Sequence, residues 1–123
     1  MNKKILIVDD DPDMRLALHV RLKANHFDTF FAADAMSAVV EARKHQPDLI
    51  ILDLGMPAGG GFVVMERLRA NIYLAATPVV VVTARDREAN EERALQAGAR
   101  SFLQKPVNDK QLLSVIGQLL GPA

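Results

Sequence analysis

The chain has no cysteine and no tryptophan, only one tyrosine, and no excess of either charge: 15 basic residues balance 15 acidic ones over 123 positions. Each absence removes a class of function. Without cysteine there is no disulfide framework and no thiolate metal site, which suits a cytoplasmic protein. With one tyrosine and no tryptophan, nucleic-acid binding by stacked bases has little to build on, and a neutral chain offers no global basic field for it. No apolar run approaches the roughly 18–20 residues that cross a bilayer, so no membrane partner is expected. Met1-Asn2-Lys3-Lys4 leads straight into an apolar segment without a signal-peptide pattern.

Half of the sequence is hydrophobic, enough for a core, and the length suits one domain over residues 1–123. The polar residues stand at telling places. A short apolar run, Ile5 to Val8, ends in three aspartates, Asp9, Asp10 and Asp11. A second, Leu49 to Leu52, ends in Asp53; a third, Val79 to Val82, ends in Thr83; a fourth, Ser101 to Gln104, ends in Lys105. Like charges gathered at strand ends repel one another unless a cation relieves them. In an open α/β sheet, ligands sit outside the carboxyl ends of the strands. The four ends together describe a site for a divalent cation and a phosphoryl group.

Strand-like and helix-like segments alternate throughout, the signature of βαβ units around a parallel sheet. Strands are expected near Lys4–Asp9, Phe27–Ala32, Leu49–Asp53, Pro78–Thr83 and Ser101–Gln104. The first helix begins behind an Asp11 cap with Pro12 in its first turn. It places Met14, Leu18 and Leu22 on one side and runs to about Ala24, with Asn25 as a left-handed stop. Further helices are expected over about Met36–Lys44, from behind a Gly55–Gly61 loop to Ala70, over about Asp86–Gln96 with Gly98 as stop, and after an Asn108 cap. The last of these turns Leu112, Ile116 and Leu119 to the core. Strands 1, 3 and 4 are apolar at nearly every position, as expected when both sheet faces are covered.

The motifs Ile5-Leu6-Ile7-Val8-Asp9-Asp10-Asp11-Pro12, Pro47-Asp48-Leu49-Ile50-Ile51-Leu52-Asp53-Leu54-Gly55-Met56-Pro57, Val82-Thr83-Ala84 and Lys105-Pro106 together resemble the receiver domain of two-component response regulators. The resemblance covers the whole chain in order. It implies a CheY-like, flavodoxin-like (βα)5 doubly wound parallel sheet with strand order 2-1-3-4-5. It also implies a phosphoacceptor role for Asp53, with Asp10 binding Mg2+ (or Mn2+) directly, Asp9 acting through water, and the backbone carbonyl of Gly55 completing the shell. Thr83 and Lys105 would hold the phosphoryl oxygens, and Thr83 with Phe102 would form the switch. A cis bond between Lys105 and Pro106 is implied as well. Phosphate lifetime is tuned at Gly55 and Arg85 in the family, and Gly60 stands where the family often has an aspartate.

By the same resemblance the partners are a sensor histidine kinase or a histidine phosphotransfer protein, and an output that is either a further domain or a separate protein. The domain would be a phosphoacceptor and not a turnover enzyme, a monomer or a phosphorylation-dependent dimer. Arg100 and Ser101 occupy positions that are acidic in one dimerising, DNA-binding subfamily, which argues against that particular dimer. A rival reading takes Asp9-x-Asp11 as the nucleophile motif of haloacid-dehalogenase-type phosphatases; Asp13 stands where that motif wants threonine or valine. An FMN-binding reading lacks a phosphate loop after strand 1. His19, His26 and His45 have no ligand spacing and are expected on the surface.

Overall fold

The computed structural model describes residues 2–57 and 60–121. Its elements alternate as β1 (Lys4–Val8), α1 (Pro12–Ala24), β2 (Asp28–Ala32), α2 (Ala35–His45), β3 (Leu49–Leu52), α3 (Gly60–Ala70), β4 (Val79–Thr83), α4 (Arg87–Gln96), β5 (Ser101–Gln104) and α5 (Asp109–Leu120). The five strands form one parallel sheet in the order β2-β1-β3-β4-β5, the flavodoxin-like arrangement that the resemblance implies.

Successive side chains of a strand point to opposite faces, so an unbroken apolar strand feeds two cores at once. Leu6, Val8, Ile50, Leu52 and Val81 pack with Ala38, Ala42, Val64, Leu68 and Ala94 on one face. Ile5, Ile7, Ile51, Val80 and Val82 pack with Leu18, Leu22, Leu112 and Ile116 on the other. The edge strand β2 is only partly covered, and two histidines help to cover it. His45 stacks on Phe30 with centroids 3.8 Å apart and pairs with Glu41 at 3.0 Å, while His19 meets Phe31 edge-on. These two histidines are therefore half-buried, contrary to the surface placement expected; His26 is exposed.

Two helix starts follow the caps read from the sequence: Asp11 and Asn108 each accept a bond from a first-turn amide. Asp34 does the same for α2, and Asp86, expected as the first residue of α4, caps that helix instead. Two local expectations fail. Asn25 is not left-handed (φ −105°); the positive φ falls one residue later, at His26, and again at Gln46 after α2. The loop expected through Gly61 ends earlier, since α3 already begins at Gly60. The reason is close packing. A Cβ on Gly61 would lie 2.5 Å from Leu54 Cα and 2.8 Å from the Asp53 carbonyl oxygen, so the glycine lets the first turn of α3 press against the end of β3. Part of the expected loop, Ala58 and Gly59, lies outside the described residues.

Candidate functional site

Parallel pairing brings the carboxyl ends of β1, β3, β4 and β5 level. The Asp53 amide donates to the Val8 carbonyl at 2.9 Å, the Asp9 amide to the Ala32 carbonyl at 3.1 Å, and the Lys105 amide to the Thr83 carbonyl at 2.8 Å. The chain thus crosses the sheet edge with Asp9, Asp53, Thr83 and Lys105 side by side. Asp9, Asp53 and Thr83 are the buried polar residues among those described. Burying such groups costs free energy unless they are bonded, and here they are.

Asp9 Oδ1 accepts the Asp11 amide at 2.9 Å, and its Oδ2 accepts Lys105 Nζ at 2.8 Å. Asp53 Oδ1 accepts the Gly55 amide at 2.9 Å, and its Oδ2 lies 3.5 Å from Lys105 Nζ. Thr83 Oγ1 accepts the Arg85 amide at 3.3 Å, which leaves the hydroxyl proton free for another acceptor. Burial lifts the Asp9 carboxyl above its ordinary value, against the pull of Lys105 and the Asp11 amide. Burial would lower Lys105, but its bond to Asp9 and the charge of Asp53 outweigh this and raise it instead. The ammonium is locked on by the acids around it.

One carboxylate oxygen from each of Asp9, Asp10 and Asp53 can be chosen so that all lie within 4.8 Å of one another. Asp10 is exposed and completes the cluster from the solvent side. Three carboxylates against one ammonium leave a charge imbalance, and an all-oxygen donor set fits a hard divalent cation such as Mg2+ or Mn2+. Asp11 lies apart as the α1 cap, as read from the sequence. The Lys105–Pro106 bond is cis, as the resemblance implies. Phe102 is 4% exposed, part of the core beside Val81, and the Arg87 guanidinium lies over its ring at 5.4 Å.

The sequence reading missed Arg15. Its Nη1 donates to the Asp9 carbonyl oxygen at 2.7 Å. Helical side chains lean toward the helix N-terminus, so an arginine one turn into α1 reaches back over the β1 end; that direction was the available signal. Arg93, whose guanidinium sits 3.8 Å above the Phe62 ring, was missed too, and only the tertiary packing of α3 on α4 reveals it.

No helix among the described residues is long and apolar enough to cross a membrane. The sequence matches the family described as response regulator receiver domain over residues 5–117. It is 33% identical to Protein PilH of Pseudomonas aeruginosa over 117 residues, which covers 95% of this chain and 97% of that protein. It is 35% identical to response regulator PleD of Caulobacter vibrioides, covering 97% of this chain but only 26% of PleD. Among solved structures, the chemotaxis protein CheY4 of Vibrio cholerae superposes with a TM-score of 0.90 at 28% identity, covering 98% and 100% of the two chains. The receiver domain of a Pseudomonas aeruginosa sensor histidine kinase, solved with a magnesium ion coordinated in the active site cleft, gives 0.89 at 25% identity, covering 99% and 100%. The match takes in all four strand-end motifs and sets the phosphatase reading aside: this chain belongs to the response regulator receiver domains, a family of signalling domains.

Proposed function

We propose that residues 1–123 form one receiver domain that accepts a phosphoryl group on Asp53 from the histidine of a sensor kinase or phosphotransfer protein. The observation that carries this reading is the convergence of Asp53 with Asp9 and Asp10 within 4.8 Å, beside Lys105 at 3.5 Å. A carboxylate oxygen of Asp53 attacks phosphorus; the new P–O bond forms as the P–N bond to the imidazole breaks, and the imidazole leaves with that electron pair and takes up a proton. Asp9, Asp10, Asp53 and the Gly55 carbonyl would hold Mg2+ or Mn2+, which when bound would supply positive charge to offset the negative charge of the reacting groups. Thr83 donates its hydroxyl proton to a phosphoryl oxygen, and Lys105 moves its charge toward the same group.

The reading out of this state falls to α4, β5 and α5, since Thr83 ends β4 and Phe102 lies on β5. The relatives differ in overall length: PilH is covered almost end to end, PleD by about a quarter. Either a linked output domain or a separate partner fits the chain, working in the cytoplasm without nucleic acid bound to this domain. Intact-mass spectrometry after incubation with acetyl phosphate and Mg2+ is expected to show one added phosphate, absent with EDTA and absent in Asp53→Asn. Labelling that survives in Asp53→Asn would place the acceptor elsewhere.

A further inference from the structure

Asp9 is held on every side. Its amide bonds to Ala32, its carboxylate to the Asp11 amide and to Lys105, and its carbonyl oxygen to Arg15 Nη1. That carbonyl belongs to the peptide unit joining Asp9 to Asp10. Its plane fixes where the Asp10 nitrogen and Cα stand, and so restricts where the Asp10 side chain can reach. Asp10 is exposed and would by itself swing away from Asp9 and Asp53, because like charges repel. Yet its carboxylate stays within the cluster.

We infer that Arg15 is a positioning residue for the metal site: by clamping the Asp9 carbonyl it keeps Asp10 converged on Asp9 and Asp53, and so strengthens divalent-cation binding although it is itself a cation. The inference rests on the metal-site reading above, and the sign of the effect makes it testable. A guanidinium acting only through its charge repels a divalent cation, so its removal would tighten binding. A guanidinium acting by preorganisation weakens binding when removed. Groups that orient metal ligands typically change affinity about 10–100-fold when lost.

The experiment is Mn2+ titration, followed by electron paramagnetic resonance of the free ion, on wild type, Arg15→Met, Arg15→Lys and Asp10→Asn, well below each melting temperature. Arg15→Met is expected to bind Mn2+ about tenfold more weakly, with Arg15→Lys between it and wild type. Unchanged or tighter binding in Arg15→Met overturns the inference. A purely structural arginine would lower the melting temperature and leave the affinity of the folded protein unmoved, which also overturns it. Should Arg15→Met not fold, Arg15→Gln is read on the same terms. Asp10→Asn separates the two levels: if it binds Mn2+ like wild type, the metal-site reading has failed, whereas if it loses Mn2+ while Arg15→Met does not, only the role of Arg15 has.

Discussion

Lys105 sits 2.8 Å from Asp9 but 3.5 Å from Asp53, so the site's lysine is held chiefly by the carboxylate that is not the proposed acceptor. The arrangement leaves Asp53 Oδ2 less tightly engaged than Asp9 Oδ2, the state a nucleophile needs. It also keeps the ammonium 3.5 Å from the proposed acceptor. A cation seated on Asp9 would compete with Lys105 for that carboxylate and free it to move toward Asp53.

The same pair gives the metal-free protein a distinctive pH dependence. Burial raises the Asp9 carboxyl above its ordinary 3.8, so the unfolded chain releases this proton at lower pH than the folded one. Between 3.8 and the raised value the folded state binds more protons, and stability falls as pH rises through that window. Lys105, raised above 10.5, acts at the other end: its contribution is complete below 10.5 and is lost as pH rises through the folded value. Denaturant unfolding in EDTA should therefore show wild type losing ground to Asp9→Asn as pH climbs from about 4. Wild type gaining on that variant over this range would contradict the assignment.

Replacing Asp10 with asparagine should stabilise the metal-free protein. Asp10 brings a third negative charge to Asp9 and Asp53, and the Lys105 ammonium bonds those two acids rather than Asp10. Because Asp10 is exposed, solvent screens the repulsion to about 0.5–1 kcal/mol, roughly 2–5 °C for a domain of this size. Thermal melts in EDTA and in millimolar Mg2+ should show the variant melting higher without metal and wild type gaining more from Mg2+. If the variant melts lower in EDTA, the repulsion account is wrong.

The features legible in the sequence are those that strand periodicity and strand ends dictate. Continuous apolar runs can only be buried on both faces, so the sheet, its alternation with helices and the convergence of Asp9, Asp53, Thr83 and Lys105 all stem from them. The caps at Asp11 and Asn108 were legible because a short polar side chain before an amphipathic run has few other uses. Arg15 and Arg93 were not, because an arginine in a helix looks solvated until its tertiary partner, a carbonyl or a ring, is known. His19 and His45 were misplaced for the same reason: nothing local says that edge-strand phenylalanines need covering. In sequence Gly61 looks like loop chemistry, whereas the requirement comes from the backbone of Asp53 and Leu54.

Two glycine-to-alanine substitutions should move stability in opposite directions. At Gly61 the new methyl meets Leu54 Cα and the Asp53 carbonyl, both backbone atoms, so relief requires moving the end of β3. Overpacking of this kind costs about 1–3 kcal/mol, and the displaced Asp53 should also lower phosphorylation yield. At Gly117, inside α5, a Cβ meets nothing within 4 Å, and alanine should stabilise the helix by about 0.5–1 kcal/mol. Urea unfolding of both variants checks the pair; a tolerated Gly61→Ala would show that α3 and β3 can separate at little cost.

Helix α4 is the element best suited to move, because its own core contact is slight and its arginines hold it in place. Ala94 is its one buried residue. Arg87 lies over Phe102 while pairing with Glu91, and Arg93 lies 3.8 Å above Phe62 of α3. Arginine over an aromatic ring at a partly exposed site contributes about 0.5–1 kcal/mol, enough to bias a helix position and weak enough to be released by the proposed bond from Thr83 to a phosphoryl oxygen. Arg93→Ala should therefore speed amide exchange across Arg87–Gln96 while leaving Mn2+ affinity unchanged. In wild type, the phosphate mimic beryllofluoride should shift backbone resonances through the same helix and at Phe102. Shifts confined to the turns after Asp10 and Asp53, or exchange in Arg93→Ala that rises equally over the whole chain, would remove α4 from the signalling path.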